Sequence, residues 1–385
     1  MRGLLGNGLR MLLILALIAP WLGACQPNWQ IALHGADSVV LRIDRQKFKN
    51  LERFYETVDE QPMISLERLL EQAGYRLVDQ VTFDGPDQAS QTYQWAEIAG
   101  DAWLDKKGRI YLGGESLVVT EIGVRPSPML DQVEASIIDI TPTAAAALGL
   151  RPPEQAGRDP LVTSSTEHVL LLFLDGFGYL RYQRAKEDGH IPYLASLEPP
   201  ILALTTYPPV TMVASASVLT GAQPPVHGLE QSSSRKTEIE TLFDVAAGAG
   251  LIIKAVEGEA LAFELRNASF KLSGDRNGNG STDDEVLANA LEVLTEGMPD
   301  LMWVHFHGID DDGHTYGPGA PKEQQAVQRV DAAVERLVAE LPPGTLVIIF
   351  ADHGMHLEFD GERQGNHGHL IPEDMLIPIF IFVKE

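Results

Sequence analysis

Apolar residues recur along this chain in two rhythms. Val169 to Leu174, Met302 to Phe306, Thr345 to Phe350 and Leu376 to Val383 are apolar almost throughout, which predicts strands buried on both faces. Leu251 to Val256 predicts another strand. Between these runs the spacing turns helical. Met212 to Leu219 follows the extended Pro208-Pro209, Thr241 to Ala247 and Asp284 to Leu294 follow later, and Lys322 to Leu341 sets Val327, Val330, Val334 and Leu337 on one face. Ile137 to Leu150 predicts a strand and then a helix, with Thr141 able to cap, Pro142 suited to the first turn and Gly149 to the exit. Strands alternating with helices from residue 129 to 385 predict an α/β domain, a mostly parallel sheet sandwiched by helices.

The rhythm differs earlier. Ile64 to Ala73 has helical spacing that Gly74 breaks, while Val78-Val81-Phe83, Tyr93-Trp95 and Ile110-Leu112 predict short strands between Asp-Gly and Gly-Gly turns. Residues 25–128 are expected to form a small N-terminal α+β accessory domain. Residues 1–24 stand apart from both. Arg2 and Arg10 precede or flank a short apolar core, Met11 to Ile18, and Leu22-Gly23-Ala24-Cys25 closes it. That core is too short to span a bilayer and reads as a signal peptide. Its last four residues match the bacterial lipobox, so Cys25 is expected to carry lipid and hold the protein at the cell envelope, outside the cytoplasm. Cys25 is the single cysteine, which excludes a disulfide and a thiolate metal site.

Charge narrows the partners. With 29 Lys and Arg against 54 Asp and Glu, the net charge is −25. Such acidity argues against nucleic acid as a partner.

The candidate chemistry sits where the apolar runs end. Asp175 follows the Val169–Leu174 run and precedes Gly176, the place where open α/β sheets bind ligands; a helix cap is the simpler alternative. Thr211 stands at the start of the small-residue helix, where free N–H groups and the dipole favour an alkoxide and a bound phosphate, or where it merely caps. Asp310 and His314 follow the Met302–Phe306 run on a glycine-bearing loop and could converge on one divalent cation, or form a solvated turn. Asp352-His353 ends the Thr345–Phe350 run, and His367 lies in Gly365-Asn366-His367-Gly368-His369. Asp275 to Asp283 imitates a calcium loop, but Val286 stands where the bidentate Glu belongs, and a polar turn capping the next helix is the other reading.

Four motifs, Asp175-Gly-Phe-Gly, Asp310-x-x-x-His314-x-x-Gly-Pro, Ala-Asp352-His353-Gly-Met and Gly-x-His367-Gly, together resemble the alkaline phosphatase superfamily over about residues 130–385. Within it they resemble the type I phosphodiesterase/nucleotide pyrophosphatase branch. The resemblance implies one metal ion held by Asp175, Asp352, His353 and the Thr211 oxygen, and another held by Asp310, His314 and His367. Zinc suits these mixed Asp and His sets, with manganese as a substitute. It implies hydrolysis of small phosphorylated substrates through a phospho-threonine at Thr211. Phosphomonoesterase and surface phosphoryl-group transferase are the alternatives within the superfamily.

Two departures change what the resemblance implies. Ser232 stands where pyrophosphatase members carry an Asn that contacts the phosphoryl oxygen, so Ser232, Arg235 or Gln231 is the candidate for that role. The family's Asp-Ile-Ala-Pro-Thr segment normally follows the Gly-x-His-Gly loop, whereas Asp139-Ile-Thr-Pro-Thr143 precedes the first metal strand here. That order looks like a circular permutation of the core.

Overall fold

The structure is a computed structural model that describes residues 29–35, 39–86, 88–231, 234–259, 261–358 and 362–385. Residues 1–24, read above as a signal peptide, together with Cys25 and Ser232, lie outside the described residues. Among the described residues no helix is long and apolar enough to cross a membrane.

The apolar runs become the centre of an eight-stranded sheet. In spatial order its strands are Ala135–Ser136, Ile201–Leu204, Leu376–Val383, Leu346–Phe350, Val169–Leu174, Leu301–Phe306, Ile253–Glu257 and Ser269–Leu272. All neighbours run parallel except Leu376–Val383, which is antiparallel to both strands beside it. Val169–Leu174 and Leu301–Phe306 are buried at every position, as a sheet covered on both faces requires. The amphipathic helix Pro321–Ala339 buries Val327, Val330, Val334 and Leu337 in the same core.

The segment around residue 137 is corrected in detail. Ile137–Asp139 is a short 3-10 turn, and the strand lies just before it at Ala135–Ser136. The Asp139 carboxylate accepts the Ser136 N–H and is paired with Arg158, and this closes the chain into a turn where apolar periodicity alone suggests extension. The strand pairs with Ile201–Leu204, which in turn pairs with Leu376–Val383, while Ile140 and Ala144 enter the main core. This is the placement a permuted core requires.

The N-terminal region is richer in strand than its sequence suggests. It holds two five-stranded sheets, with short helices at Arg45–Asn50, Leu66–Gln72 and Trp95–Ile98. Ile64, expected in a helix, lies in the strand Gln61–Ser65, because Ser65 caps the following helix by accepting the Arg68 N–H. The apolar core of this region does not stop at its boundary. Ile64, Leu66, Leu70 and Trp95 pack in one cluster with Leu202, Tyr207, Leu370 and Met375 of the larger domain.

Candidate metal centre

Three adjacent parallel strands, Leu346–Phe350, Val169–Leu174 and Leu301–Phe306, bring their carboxyl ends together. Asp352, Asp175 and Asp310 follow them. Asp310 and His314 are on a helix, Gly308–Tyr316, rather than the loop expected from Gly313. The helix starts there because buried Asp283 accepts the N–H groups of His307 and Gly308. Four residues then place Asp310 and His314 on one face, with Asp310 Oδ2 3.3 Å from His314 Nε2. Gly176, at φ 70°, lets this helix approach: a Cβ there would lie 3.1 Å from the Asp310 Cα.

The same contact removes the calcium reading of its last member, since Asp283 spends its oxygens on that helix. Asp275 accepts the N–H groups of Gly278, Asn279 and Gly280, so the loop satisfies itself as a polar turn before helix Asp283–Glu296.

Thr211 is the first residue of helix Thr211–Thr220, and Val210 occupies the cap position without any side-chain cap bond. Thr211 is therefore not the cap. The first helical bond runs from the Ala214 N–H to the Val210 carbonyl, so the N–H groups of Thr211, Met212 and Val213 precede the helical ladder. The Thr211 hydroxyl faces the cluster instead, with Oγ1 3.3 Å from His353 Nε2.

His353, His314 and His367 share one arrangement. Their Nδ1 atoms lie 3.0, 2.9 and 2.9 Å from the carbonyls of Gly354, Gly365 and Pro209. A carbonyl only accepts, so each Nδ1 carries a proton, and in the neutral imidazole each Nε2 is the atom that offers a lone pair. The Nε2 atoms face carboxylates: His353 lies 3.2 Å from Asp352 and 3.6 Å from Asp175, and His367 lies 3.7 Å from Asp310. Asp175 Oδ1, Asp310 Oδ1 and Asp352 Oδ2 are buried with no hydrogen-bond partner. Buried carboxylate oxygens facing imidazole lone pairs fit a cation, and the residues present fit divalent metal. Among the described residues three groups converge tightly: Asp175 with Asp352 and His353, Asp310 with His353 and His367, and Asp175 with His305 and His307. His314 joins through Asp310 and lies 5.0 Å, ring to ring, from His367.

The electrostatics agree. Burial, reinforced by the charge of Asp175, pushes the Asp352 carboxyl up to about 8. Burial and the neighbouring His353 push His367 down to about 3. Asp175 resists its own burial through hydrogen bonds from His305 and His307, which hold it well below the usual range. His353, by contrast, is pushed up to about 9 against its burial by the charges of Asp352, Asp310 and Asp175, and a divalent cation held by these acids would take the place of that proton.

Sequence reasoning missed His305. It is fully buried in its strand, stacked on Phe173 at 3.7 Å, with Nε2 3.1 Å from Asp175 and Nδ1 3.4 Å from Glu257. Against its burial, these two acids hold it up at about 10. His305 is thus an imidazolium bridging Glu257 to Asp175 from beneath, and it fixes the orientation of Asp175. The signal was available: a histidine inside an apolar strand must find partners. Of the phosphate-binding candidates, Arg235 is exposed and donates to the Leu261 carbonyl, and Gln231 donates to the Arg53 carbonyl; neither contact reaches the cluster.

His227 supports the same helix from behind. Its Nδ1 accepts the Leu229 N–H, so Nε2 donates to Ser217 of helix Thr211–Thr220 at 2.9 Å. Burial pushes it down to about 4. The unfolded chain therefore takes up the proton first, and stability present above the ordinary value of 6.5 is lost as pH falls towards 4. Melting temperatures measured across pH 4 to 7 should fall at the acid end, and His227→Gln should flatten that slope.

Comparison with known proteins gives a family match over part of the chain. Residues 261–379 match the model of the type I phosphodiesterase/nucleotide pyrophosphatase family. Among curated proteins, the catalytic subunit of GPI ethanolamine phosphate transferase 3 from Mus musculus is 30% identical over 88 residues, 23% of this chain and 8% of that protein. GPI ethanolamine phosphate transferase 3 from Schizosaccharomyces pombe is 29% identical over 86 residues, 22% of this chain and 9% of that protein. The chain thus spans less than a tenth of the length of either. Among solved structures, murine ectonucleotide pyrophosphatase/phosphodiesterase 5 aligns with a TM-score of 0.44 at 14% identity, covering 55% of this chain and 87% of that one. Phosphonoacetate hydrolase from Sinorhizobium meliloti 1021 aligns with a TM-score of 0.39 at 19% identity, covering 51% of this chain and 59% of that one. The residues matched to the family model, under a third of the chain, include Asp310, His314, Asp352, His353 and His367.

Proposed function

We propose that this protein is a metal-dependent hydrolase of phosphoric esters, of the phosphodiesterase/nucleotide pyrophosphatase type, with Thr211 as nucleophile. The observation that carries the reading is the Thr211 hydroxyl beside His353 Nε2, at the mouth of two Asp/His groups whose buried oxygens lack partners. Asp175, Asp352 and His353 would hold one divalent ion, and Asp310, His314 and His367 the other. The oxygen and nitrogen donors, with no sulfur, suit zinc or manganese. Bound there, the ions supply positive charge that favours the ionised hydroxyl and the departing oxygen. The chain itself does the rest. Helix Thr211–Thr220 aims three free N–H groups where the phosphoryl oxygens must sit, and holds Oγ1 for in-line attack. The bond from Oγ1 to phosphorus forms, its proton leaving, as the bond to the leaving oxygen breaks; water then attacks the same phosphorus, Oγ1 regains a proton, and the phosphoric monoester (or phosphate, from a monoester substrate) is released.

The curated relatives favour a second reading, since those proteins are named ethanolamine phosphate transferases. Both readings share the attack by Thr211 and differ in what accepts the phosphoryl group. We further propose that Cys25 anchors the chain by lipid at the cell envelope, with residues 129–385 as the catalytic domain and 25–128 as its accessory domain. The deciding experiment compares turnover of aryl phosphate monoesters and diesters with and without added hydroxyl acceptors. A hydrolase releases the same product at the same rate in either case. A transferase turns over in proportion to acceptor and yields the acceptor ester. Absence of turnover on any ester would remove both readings.

A further inference from the structure

The loop that carries His367 is held from outside its own domain. Glu67 lies on the accessory helix Leu66–Gln72 and is buried, with 5% of its surface exposed. Both of its oxygens reach across to the larger domain: Oε1 accepts the Leu370 N–H at 2.8 Å, and Oε2 lies 3.1 Å from His369 Nδ1. Trp95, on a second accessory helix, donates its indole N–H to the carbonyl of the same Leu370 at 3.1 Å. Gly100, at φ 83°, completes the seat: a Cβ there would lie 2.5 Å from His369 Cε1. Both polar groups of one residue, three positions after His367, are thus fixed by accessory side chains.

The location of these contacts separates them from ordinary packing. Among the described residues, the ion pair of Glu67 is with His369 alone, without Lys or Arg. A buried carboxylate is costly unless its oxygens are used, and here both are used on this loop. On the other side of His367, its Nδ1 meets the Pro209 carbonyl, two residues before Thr211. The loop is therefore clamped between the accessory region and the segment that carries the nucleophile. A cleft of about 520 Å³ opens at the same junction, walled by Phe54, Tyr55 and Trp103 on the accessory side and by Tyr207, Val210 and His367 on the other.

We infer that Glu67 is a positioning residue for the metal centre: the accessory domain holds the 365–371 loop so that His367 Nε2 faces Asp310. Without Glu67, the Leu370 N–H and the His369 ring lose their partners, and the loop is left to Trp95 at the Leu370 carbonyl, Asp374 at the His369 N–H and Pro209 at the His367 ring. Losing outer partners that fix the orientation of a metal ligand typically changes affinity about 10- to 100-fold. This inference rests on the reading of His367 as a ligand.

Two readouts on the full chain test it. Purified protein is stripped with chelator and titrated with zinc, and amide hydrogen exchange is followed at residues 365–371. In wild type we expect two binding events and a slowly exchanging Leu370 N–H. In Glu67→Ala we expect faster exchange of the loop and a 10- to 100-fold weaker second event, with the first unchanged. Glu67→Gln keeps an acceptor for Leu370 and should fall between the two; Trp95→Phe releases the same residue from its other side and should shift affinity in the same direction. These milder variants serve where alanine prevents folding. Two events of wild-type affinity in folded variants would overturn the inference, as would an unchanged loop. No zinc binding in wild type would instead remove the metal reading of the site, and the inference with it.

Discussion

Thr211→Ala is expected to lower turnover by about three orders of magnitude or more while hardly moving the melting temperature. Helix geometry makes the two effects separable. A lost Ser or Thr cap costs about 1 kcal/mol, but Val210 holds the cap position and Thr211 makes no cap bond. The hydroxyl is spent on the cluster instead, 3.3 Å from His353. Thr211→Ser keeps the attacking oxygen and should retain measurable turnover. Acid quenching of the wild type during turnover should leave phosphate on residue 211. Full activity of the alanine variant would place the chemistry elsewhere.

Metal removal should have the second largest effect. Protein as purified is expected to hold about two divalent ions per chain, and chelation should abolish turnover. An ion present at about 100 times its Kd adds about 2.7 kcal/mol to stability, so stripping should also lower the melting temperature by several degrees. His367→Ala should retain one ion, because Asp175, Asp352 and His353 converge without it. Metal analysis of active protein settles the point, and active protein free of divalent metal would refute it.

The parts of this site that were legible in sequence are those whose cause is local. Asp175, Asp310 and Asp352 each follow an apolar strand within a few residues, and a strand's end is where an open α/β sheet presents polar groups. Thr211 was legible because proline, threonine and a small-residue run mark a helix start. For His305 only the need for a partner was legible, from its place inside an apolar strand; Glu257 and Asp175 are distant in sequence and only the sheet makes them its neighbours. Glu67 is more extreme: it lies 302 positions from His369, and nothing near it in the chain announces a role. Ile137 shows the converse error, where an apolar pattern fitted a strand but the Asp139 carboxylate folded the segment into a turn.

The lone antiparallel strand has a mechanical consequence. Leu376–Val383 separates Ile201–Leu204, whose exit leads to Thr211, from the three strands that end in Asp352, Asp175 and Asp310. Thr211 and the three aspartates thus belong to two blocks of the sheet, and this strand is the spacer between them. Its register against Leu346–Phe350 on one side and Ile201–Leu204 on the other sets how far the blocks stand apart. A slip of two residues along either ladder preserves the inward-facing side chains but slides one block about 7 Å past the other. Such a slipped sheet would remain folded and would hold Thr211 out of reach of the cluster.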